Sequence, residues 1–345
     1  MAPATCQSDE LEVRHEICFP DLQGYKTLAC DLHMHTVFSD GEVWPTVRVS
    51  ETWRQGLDAM AITDHVEYQP HKEDVPTKHN RPYELAEEAA REHGMLLIRG
   101  AEITRDTPPG HFNALFLNDI APLDTPDFLE VIKRANQQGA FVFWNHQGWK
   151  GEEKGRWLDV HTTMYDNKWF QGMEVANGGG YFPQAHRWCL EKNLTMLGNS
   201  DIHGPDPRRE SSSKDHRTMT LVFAKERSIA SLKEALEARR TIVWFKDQLI
   251  GREELLRPFF AACIQINKPV VRTNTHAFVE IRNNGQADIC IESTGEHQSR
   301  QVVLPAKSTV LVKVPVTDTT FNCTVKNFLV APGVGLAVTL QIPNP

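Results

Sequence analysis

Short apolar runs and amphipathic stretches alternate along the first 246 residues of this 345-residue chain. Residues 27–30, 57–63, 95–98 (running on through 100–104), 111–117, 140–144, 172–177, 195–200, 219–224 and 241–245 are brief and largely apolar, as strands buried on both faces are. Between them, residues 45–55, 82–93, 126–138, 183–192 and 228–239 have helical character. Pro45 suits a first turn and Ser228 a cap, while Gly56, Gly94 and Gly139 mark ends. The polar stretch 66–80 reads as a long loop, which in a compact domain is often functional. This rhythm over 27–246 predicts a parallel α/β sheet or barrel, whose chemistry collects at the carboxyl ends of the strands.

From about residue 262 the texture changes. Helical periods vanish, and short alternating runs at 278–281, 287–291, 301–304, 309–312 and 335–340 are separated by turn signals such as Asn283-Asn284-Gly285 and Ala331-Pro332-Gly333. That pattern predicts a small antiparallel sandwich. The expected organisation is a lead-in (1–26), an α/β domain (27–261) and a C-terminal β-sandwich (262–345).

Candidate chemistry begins at Asp31-Leu32-His33-Met34-His35-Thr36. Histidines one residue apart on an extended strand point to the same face, so His33 and His35 form half of a metal site. Past later strands stand His65, Glu102, His146, Asp201 and His203; Asp40 follows the first motif, and His111 opens a strand after Pro108-Pro109-Gly110. Six histidines and three carboxylates offer donors suited to zinc, manganese or iron. A single histidine after a strand is commonly a hydrogen-bonded structural residue, but nine such residues at recurrent positions favour at least four ligands. The other nine histidines have no comparable placement.

Composition narrows the partners. A formal net charge of −8 argues against a nucleic-acid duplex or an anionic membrane. No apolar run approaches the roughly 18 residues of a membrane span. The N-terminus lacks a basic start followed by an apolar stretch, so no signal peptide is read; Ala2 and Ala4 near Cys6 leave a removed leader open. Location stays open: soluble, and periplasmic or secreted if a leader has been removed, otherwise cytoplasmic. Seven scattered cysteines without a Cys-x-x-Cys read as buried thiols, weakly favouring a reducing compartment.

With Thr63-Asp64-His65, Gly100-Ala101-Glu102-Ile103, Asn145-His146 and Ser200-Asp201-Ile202-His203, the first motif resembles the motif set of the polymerase-and-histidinol-phosphatase (PHP) superfamily. The resemblance spans roughly residues 27–245. Phe38-Ser39-Asp40-Gly41, Thr104-Arg105, residues 108–114 and Trp144-Asn145-His146 look closest to its bacterial phosphodiesterase subgroup, which also carries a small C-terminal β domain. It implies a distorted (β/α)7 barrel with up to three divalent metal ions (Mn, Zn or Fe) at its mouth. Carried over, the first position would use His33, His35, Glu102 and Asp201. The second would share Glu102 and add His111 and His146, and the third would use Asp40, His65 and His203. Asp40 replaces a histidine of some members, which shifts preference toward harder metals. Asp64 is expected to buttress a neighbouring imidazole.

Three divalent ions and three ligand carboxylates leave a pocket of net charge +3, suited to a phosphoester anion. The implied reaction is hydrolysis by a metal-bridging hydroxide attacking phosphorus. Glu102, Asp201 and Arg105 are the candidate catalytic residues; Arg105 would grip a non-bridging oxygen, or is a surface arginine. Tyr68 and Trp149 would wall the mouth, or pack. The expected partner is a small-molecule phosphoester, a phosphodiester by resemblance, with oligomeric state unread. A phosphomonoesterase, a metal-dependent amidohydrolase and a non-enzymatic metal-stabilised scaffold are the alternatives. No lysine at a strand end is suited to carbamylation, which counts against the amidohydrolase.

Overall fold

The first strand, β1 (Lys26–Asp31), lies at the centre of a long mixed sheet. The computed structural model describes residues 12–206, 215–293, 301–316 and 319–343. After β1 come α1 (Pro45–Arg54), β2 (Ala59–Ile62), α2 (Arg81–Glu92), β3 (Leu96–Ile103), β4 (Phe112–Leu115), α3 (Phe128–Gln137) and β5 (Phe141–Trp144). Then follow α4 (Asp159–Asp166), β6 (Gly172–Asn177), β7 (Gly180–Tyr181), α5 (Pro183–Glu191) and β8 (Thr195–Asn199). The α/β part ends with β9 (Met219–Ala224), α6 (Ile229–Glu237), β10 (Thr241–Phe245), β11 (Gln248–Gly251) and α7 (Glu253–Cys263). Caps form where the side chains allow. Asp127 accepts from Glu130 N and Ser228 from Ser231 N, contacts worth about 1 kcal/mol each.

The sheet is mixed where a parallel one was expected. β1, β2 and β3 run parallel, as do β5, β6 and β8, but β4 pairs antiparallel with both β3 and β5. Only residues 104–111 separate β3 from β4, too few for a crossover, so the chain makes a hairpin and His111 is delivered at its far end. β9 and β10 are antiparallel neighbours on the other side of β1.

Among the described residues the ladder does not close, since β8 pairs with β6 alone. The gap is narrow. Gly198 N donates to Thr220 Oγ1 (2.9 Å), that hydroxyl donates to Gly198 O (2.8 Å), and Met34 and Ile202 form a parallel bridge just past β1 and β8. A Cβ on Gly198 would lie 2.2 Å from Val243 Cγ1, so only glycine lets β8 pack on β10 this closely.

The C-terminal part is all-β: β12 (Ile264–Ile266), β13 (Val271–Arg272), β14 (His276–Asn283), β15 (Ile289–Ser293), β16 (Gln301–Leu304), β17 (Thr309–Pro315), β18 (Thr320–Ala331) and β19 (Val334–Gln341). β14 holds β12, β13 and β17, while β18 holds β15 and β19 and also pairs in parallel with β11. One apolar core therefore runs from Met34 and Trp244 through Phe259 and Phe260 to Phe328, Val325 and Ile291. The result is a mixed α/β unit with a β unit packed on it. The eight-residue α4 carries no clear periodic signal in the sequence, whereas α7, with Pro258 in its interior, buries Leu256, Phe259, Phe260 and Cys263 at helical spacing.

Candidate metal centre

All nine expected ligands meet at the carboxyl-terminal rim of the sheet. The turn from β1 presents His33 and His35, both without solvent exposure, with their Nε2 atoms 3.1 Å apart. Asp201 Oδ1 stands 3.1 Å from each of these nitrogens and Glu102 Oε2 3.3 Å from each. With either carboxylate, the two imidazoles stand near the edge of about 3.3–3.4 Å that bonds of roughly 2.0–2.1 Å to one zinc-like ion would require. Glu102 faces two ways. Its Oε2 also approaches His65 Nδ1 (3.0 Å), while Oε1 meets His111 Nδ1 (2.9 Å) and His146 Nε2 (3.5 Å). Asp40 Oδ1 lies 3.4 Å from His65 Nε2 and 3.3 Å from His203 Nε2.

The donors fall into overlapping groups: His33, His35 and Asp201; His33, Glu102 and His146; His65, Glu102 and His111; and His35, Asp40, His65 and His203. The grouping differs from the expected one in detail, because Glu102 falls outside the group of His33, His35 and Asp201, His35 joins the Asp40 group, and His111 stands with His65 rather than with His146. A metal-binding reading also fits the unmet valence of the carboxylates. Asp40 Oδ1 and Asp201 Oδ1 are buried without a hydrogen-bond partner, which is costly unless a cation takes the lone pairs.

Four of the nine donors are aimed by a neighbour. His33 Nδ1 is 2.9 Å from Glu174 Oε1, His35 Nδ1 is 3.2 Å from Ser39 Oγ, and His65 Nδ1 is 2.5 Å from Thr104 Oγ1. Ser39 Oγ in turn donates to Asp64 Oδ1 (2.7 Å), so Asp64 supports His35 through a hydroxyl. Asn145 Nδ2 donates to Glu102 Oε1 and to Asn113 Oδ1. The loop bearing Asp40 closes on the backbone of His35 and Thr36, where a Cβ on Gly41 would come within 2.6 Å. His146 and Asp201 take positive φ values of 25° and 53°, unusual for non-glycine residues and found where surroundings dictate the backbone.

Charge coupling runs through the cluster. Burial opposes ionisation of His33, His35 and His146, yet the facing carboxylates outweigh it and raise all three, His35 to about 9. Burial likewise opposes ionisation of Glu102, Asp201 and Asp40, and the surrounding imidazoles overcome it and hold all three below the usual carboxylate range.

The cluster opens into a cavity of about 310 Å³ lined by seven of its members together with Trp149 and Asn177. Trp149 and Tyr68 are half exposed at its edge. Trp149 sets its ring edge-on to His111 and His146, and Tyr68 to His65. Arg105 is not brought to the cluster. Its guanidinium is tied to Glu67 and to the carbonyls of Thr104, Thr125 and Pro126, along a separate cleft. Sequence reasoning also passed over Glu174 and Arg48, and gave Asn145 no role beyond its place in a motif. An acidic residue inside the apolar run 172–177 is the one visible sign of Glu174.

A family model for the PHP domain matches residues 31–172. A solved two-domain protein of Bacteroides vulgatus ATCC 8482, containing a predicted PHP-like metal-dependent phosphoesterase, is 45% identical. That likeness covers 96% of this chain and all of the other, with a TM-score of 0.90. This chain belongs to the PHP family. An uncharacterized protein of Methanocaldococcus jannaschii is 23% identical over 235 residues, 64% of this PHP chain and 98% of its own length. Because the Bacteroides protein matches over both parts, the β unit belongs to the shared architecture. Among the described residues no helix is long and apolar enough to cross a membrane.

Proposed function

We propose that this chain is a metal-dependent phosphoesterase that hydrolyses small-molecule phosphoesters, phosphodiesters in preference, at up to three divalent ions. The observation that carries the reading is the convergence of nine donors from separate segments, with two buried carboxylate oxygens facing imidazoles but accepting no hydrogen bond. The first position would use His33, His35, Glu102 and Asp201; the second Glu102, His111 and His146; the third Asp40, His65 and His203. Divalent ions held there supply Lewis acidity and a water acidic enough to ionise near neutral pH. The protein's own part is orientation. Glu174, Ser39 with Asp64, and Thr104 set three imidazole planes, while Asn145 fixes the Glu102 oxygen facing His111. Trp149 and Tyr68 would border the substituents of the ester.

The diester preference draws support from the lining. Among the described residues around the cavity there is no lysine or arginine, and Arg105 is engaged elsewhere. A singly charged phosphodiester needs less neutralisation than a monoester dianion. We take the sheet as a distorted (β/α)7 barrel, residues 27–261 as the catalytic unit and 262–345 as the accessory β-sandwich, with Mn, Zn or Fe as the ions.

Metal analysis combined with turnover tests this. Protein loaded separately with Mn2+, Zn2+ or Fe2+ is assayed on a chromogenic phosphodiester, the matching monoester, and an amide or lactone. Diester turnover that chelation abolishes, with fold retained, is the expected result. Faster monoester turnover would move the substrate class, and turnover of the amide or lactone alone would overturn the reading.

A further inference from the structure

Arg48, on α1, has no solvent exposure, and each of its five N–H groups has an acceptor. Nε and Nη2 donate to His35 O (3.2 and 3.0 Å), and Nη2 also to His203 O (2.9 Å). Nη1 donates to Gly204 O (3.1 Å) and to Glu51 Oε2 (2.6 Å). Two of these carbonyls belong to expected metal ligands. His203 O accepts in addition from Glu42 N (2.9 Å), two residues past Asp40. One guanidinium thus gathers the backbone of His35, of His203 and, through that shared carbonyl, of the loop bearing Asp40.

The segment it holds has no strand ladder of its own. Residues 200–206 lie along the exit of β1 through Asp201 N to His33 O (3.0 Å) and His35 N to Ile202 O (3.1 Å). Ionic contacts fasten both ends. Ser200 N and Oγ donate to Asp31 (3.1 and 2.5 Å), Asp206 N donates to Glu51 Oε1 (2.9 Å), and Arg217 pairs with Asp206 (2.5 Å) and Asp31 (3.2 Å). Burying an arginine is expensive, and a helix packing on a sheet has no need of one. Its fork meets carbonyl oxygens at a fixed spacing, which lysine's point charge does not do.

We propose that Arg48 is a positioning residue for the third cation position, setting the distance between His203 and Asp40 from behind. This rests on the three-position reading above. None of the hydrogen bonds of Arg48 goes to His33, Glu102, His111 or His146, so the second position is held without it and the first shares with it only the backbone of His35, whose ring is set separately by Ser39. Loss of the fork weakens the third ion most, by the 10–100-fold typical of groups that orient metal ligands, the first less through His35, and the second not at all.

The test uses the full chain, stripped with a chelator and titrated with Mn2+ while free Mn2+ is followed by electron paramagnetic resonance. Expected for wild type are three equivalents. Arg48→Lys, with unchanged circular dichroism, binds one equivalent at least tenfold more weakly and the other two with little or no loss. His203→Ala loses the same equivalent, and the double variant loses no more than His203→Ala alone. If Arg48→Lys does not fold, Glu51→Gln, which keeps the guanidinium and loosens its anchor, is held to the same criteria. Three equivalents at wild-type affinity in the variant, or equal weakening of all three, overturns the assignment of Arg48 alone. Fewer than three in wild type overturns the cation count and this inference with it.

Discussion

Glu174 is the residue through which the metal centre can be perturbed without touching a ligand. It has no solvent exposure and sits among donors. His33 Nδ1 and Asn199 Nδ2 face Oε1 (both 2.9 Å), while His146 N and Asn177 Nδ2 face Oε2 (both 2.8 Å). Glu174→Gln keeps the shape and replaces one acceptor oxygen by an NH2 group. Whichever side the amide nitrogen takes, it meets two donors. On the His33 side the clash is relieved if the imidazole moves its proton to Nε2, leaving Nδ1 as acceptor. That tautomer removes the lone pair that would bind the first ion.

Groups that orient metal ligands in this way are worth 10–100-fold in metal affinity or activity, about 1.4–2.7 kcal/mol. Isothermal titration of chelator-stripped protein with Mn2+ should therefore show the tightest equivalent weakened by that factor, with kcat on a chromogenic diester falling in parallel at subsaturating metal. Added Mn2+ should restore much of the rate, because Glu174 touches no substrate. Wild-type affinity and rate in Glu174→Gln would refute the reasoning, since a carboxylate that orients His33 by its charge cannot be exchanged freely for an amide.

Other consequences are open to measurement. In the metal-free protein His33, His35 and His146 are raised, His35 to about 9, so Mn2+ must displace protons at pH 7–8. Acid should appear on metal addition to weakly buffered protein and apparent affinity should fall as pH falls; pH-independent affinity would count against a histidine cluster. His161, without solvent exposure and stacked 4.0 Å from Trp144, donates from Nε2 to Pro109 O and accepts at Nδ1 from Leu158 N; burial depresses it to about 4. A depressed folded-state value means stability present above the unfolded value of about 6.5 and lost as pH falls toward 4, about 2 kcal/mol by pH 5, so metal-free His161→Gln should lose that much less than wild type between pH 7 and 5 in urea melts. Gly41→Ala drives a methyl to 2.6 Å from the backbone of His35 and Thr36, which should cost about 1–3 kcal/mol in urea and weaken Mn2+ binding by displacing Asp40. Trp149→Ala should raise KM for an aryl diester about 2–10-fold, with kcat nearly kept, if the ring borders the substituent.

What could be read from the chain and what could not divide along a physical line. His33 and His35 were legible because period-two alternation is a local property, and their two nitrogens do converge to 3.1 Å. The strand ends that deliver His65, Glu102, His146 and Asp201 were legible because short apolar runs announce themselves. The antiparallel placement of β4 was missed although the short connection 104–111 already forbids a crossover helix; the strand–helix rhythm on either side overrode that arithmetic. Helix α7 was missed although Leu256, Phe259, Phe260 and Cys263 stand at helical spacing, because Pro258 inside the run argues against a helix; packing on β10, β11 and β18 holds it in place.

Long side chains were the real limit. Arg105 follows Glu102 by three residues and was expected at the site, but its guanidinium goes to Glu67, 38 residues earlier, because a carboxylate and three carbonyls meet it there. Arg48 and Glu174 lie in ordinary helix and strand patterns, and their partners stand up to 156 and 141 residues away. Spacing along the chain carries no information about such contacts. The donors of this cluster could be named because their backbone positions aim them, whereas the groups that orient them are chosen by tertiary neighbours. Substitutions at Arg48 and Glu174 therefore probe the part of the site that the linear pattern does not contain. If both proved silent while the ligand variants were not, orientation would have to come from the backbone alone, and the positive-φ residues His146 and Asp201 would be where to look.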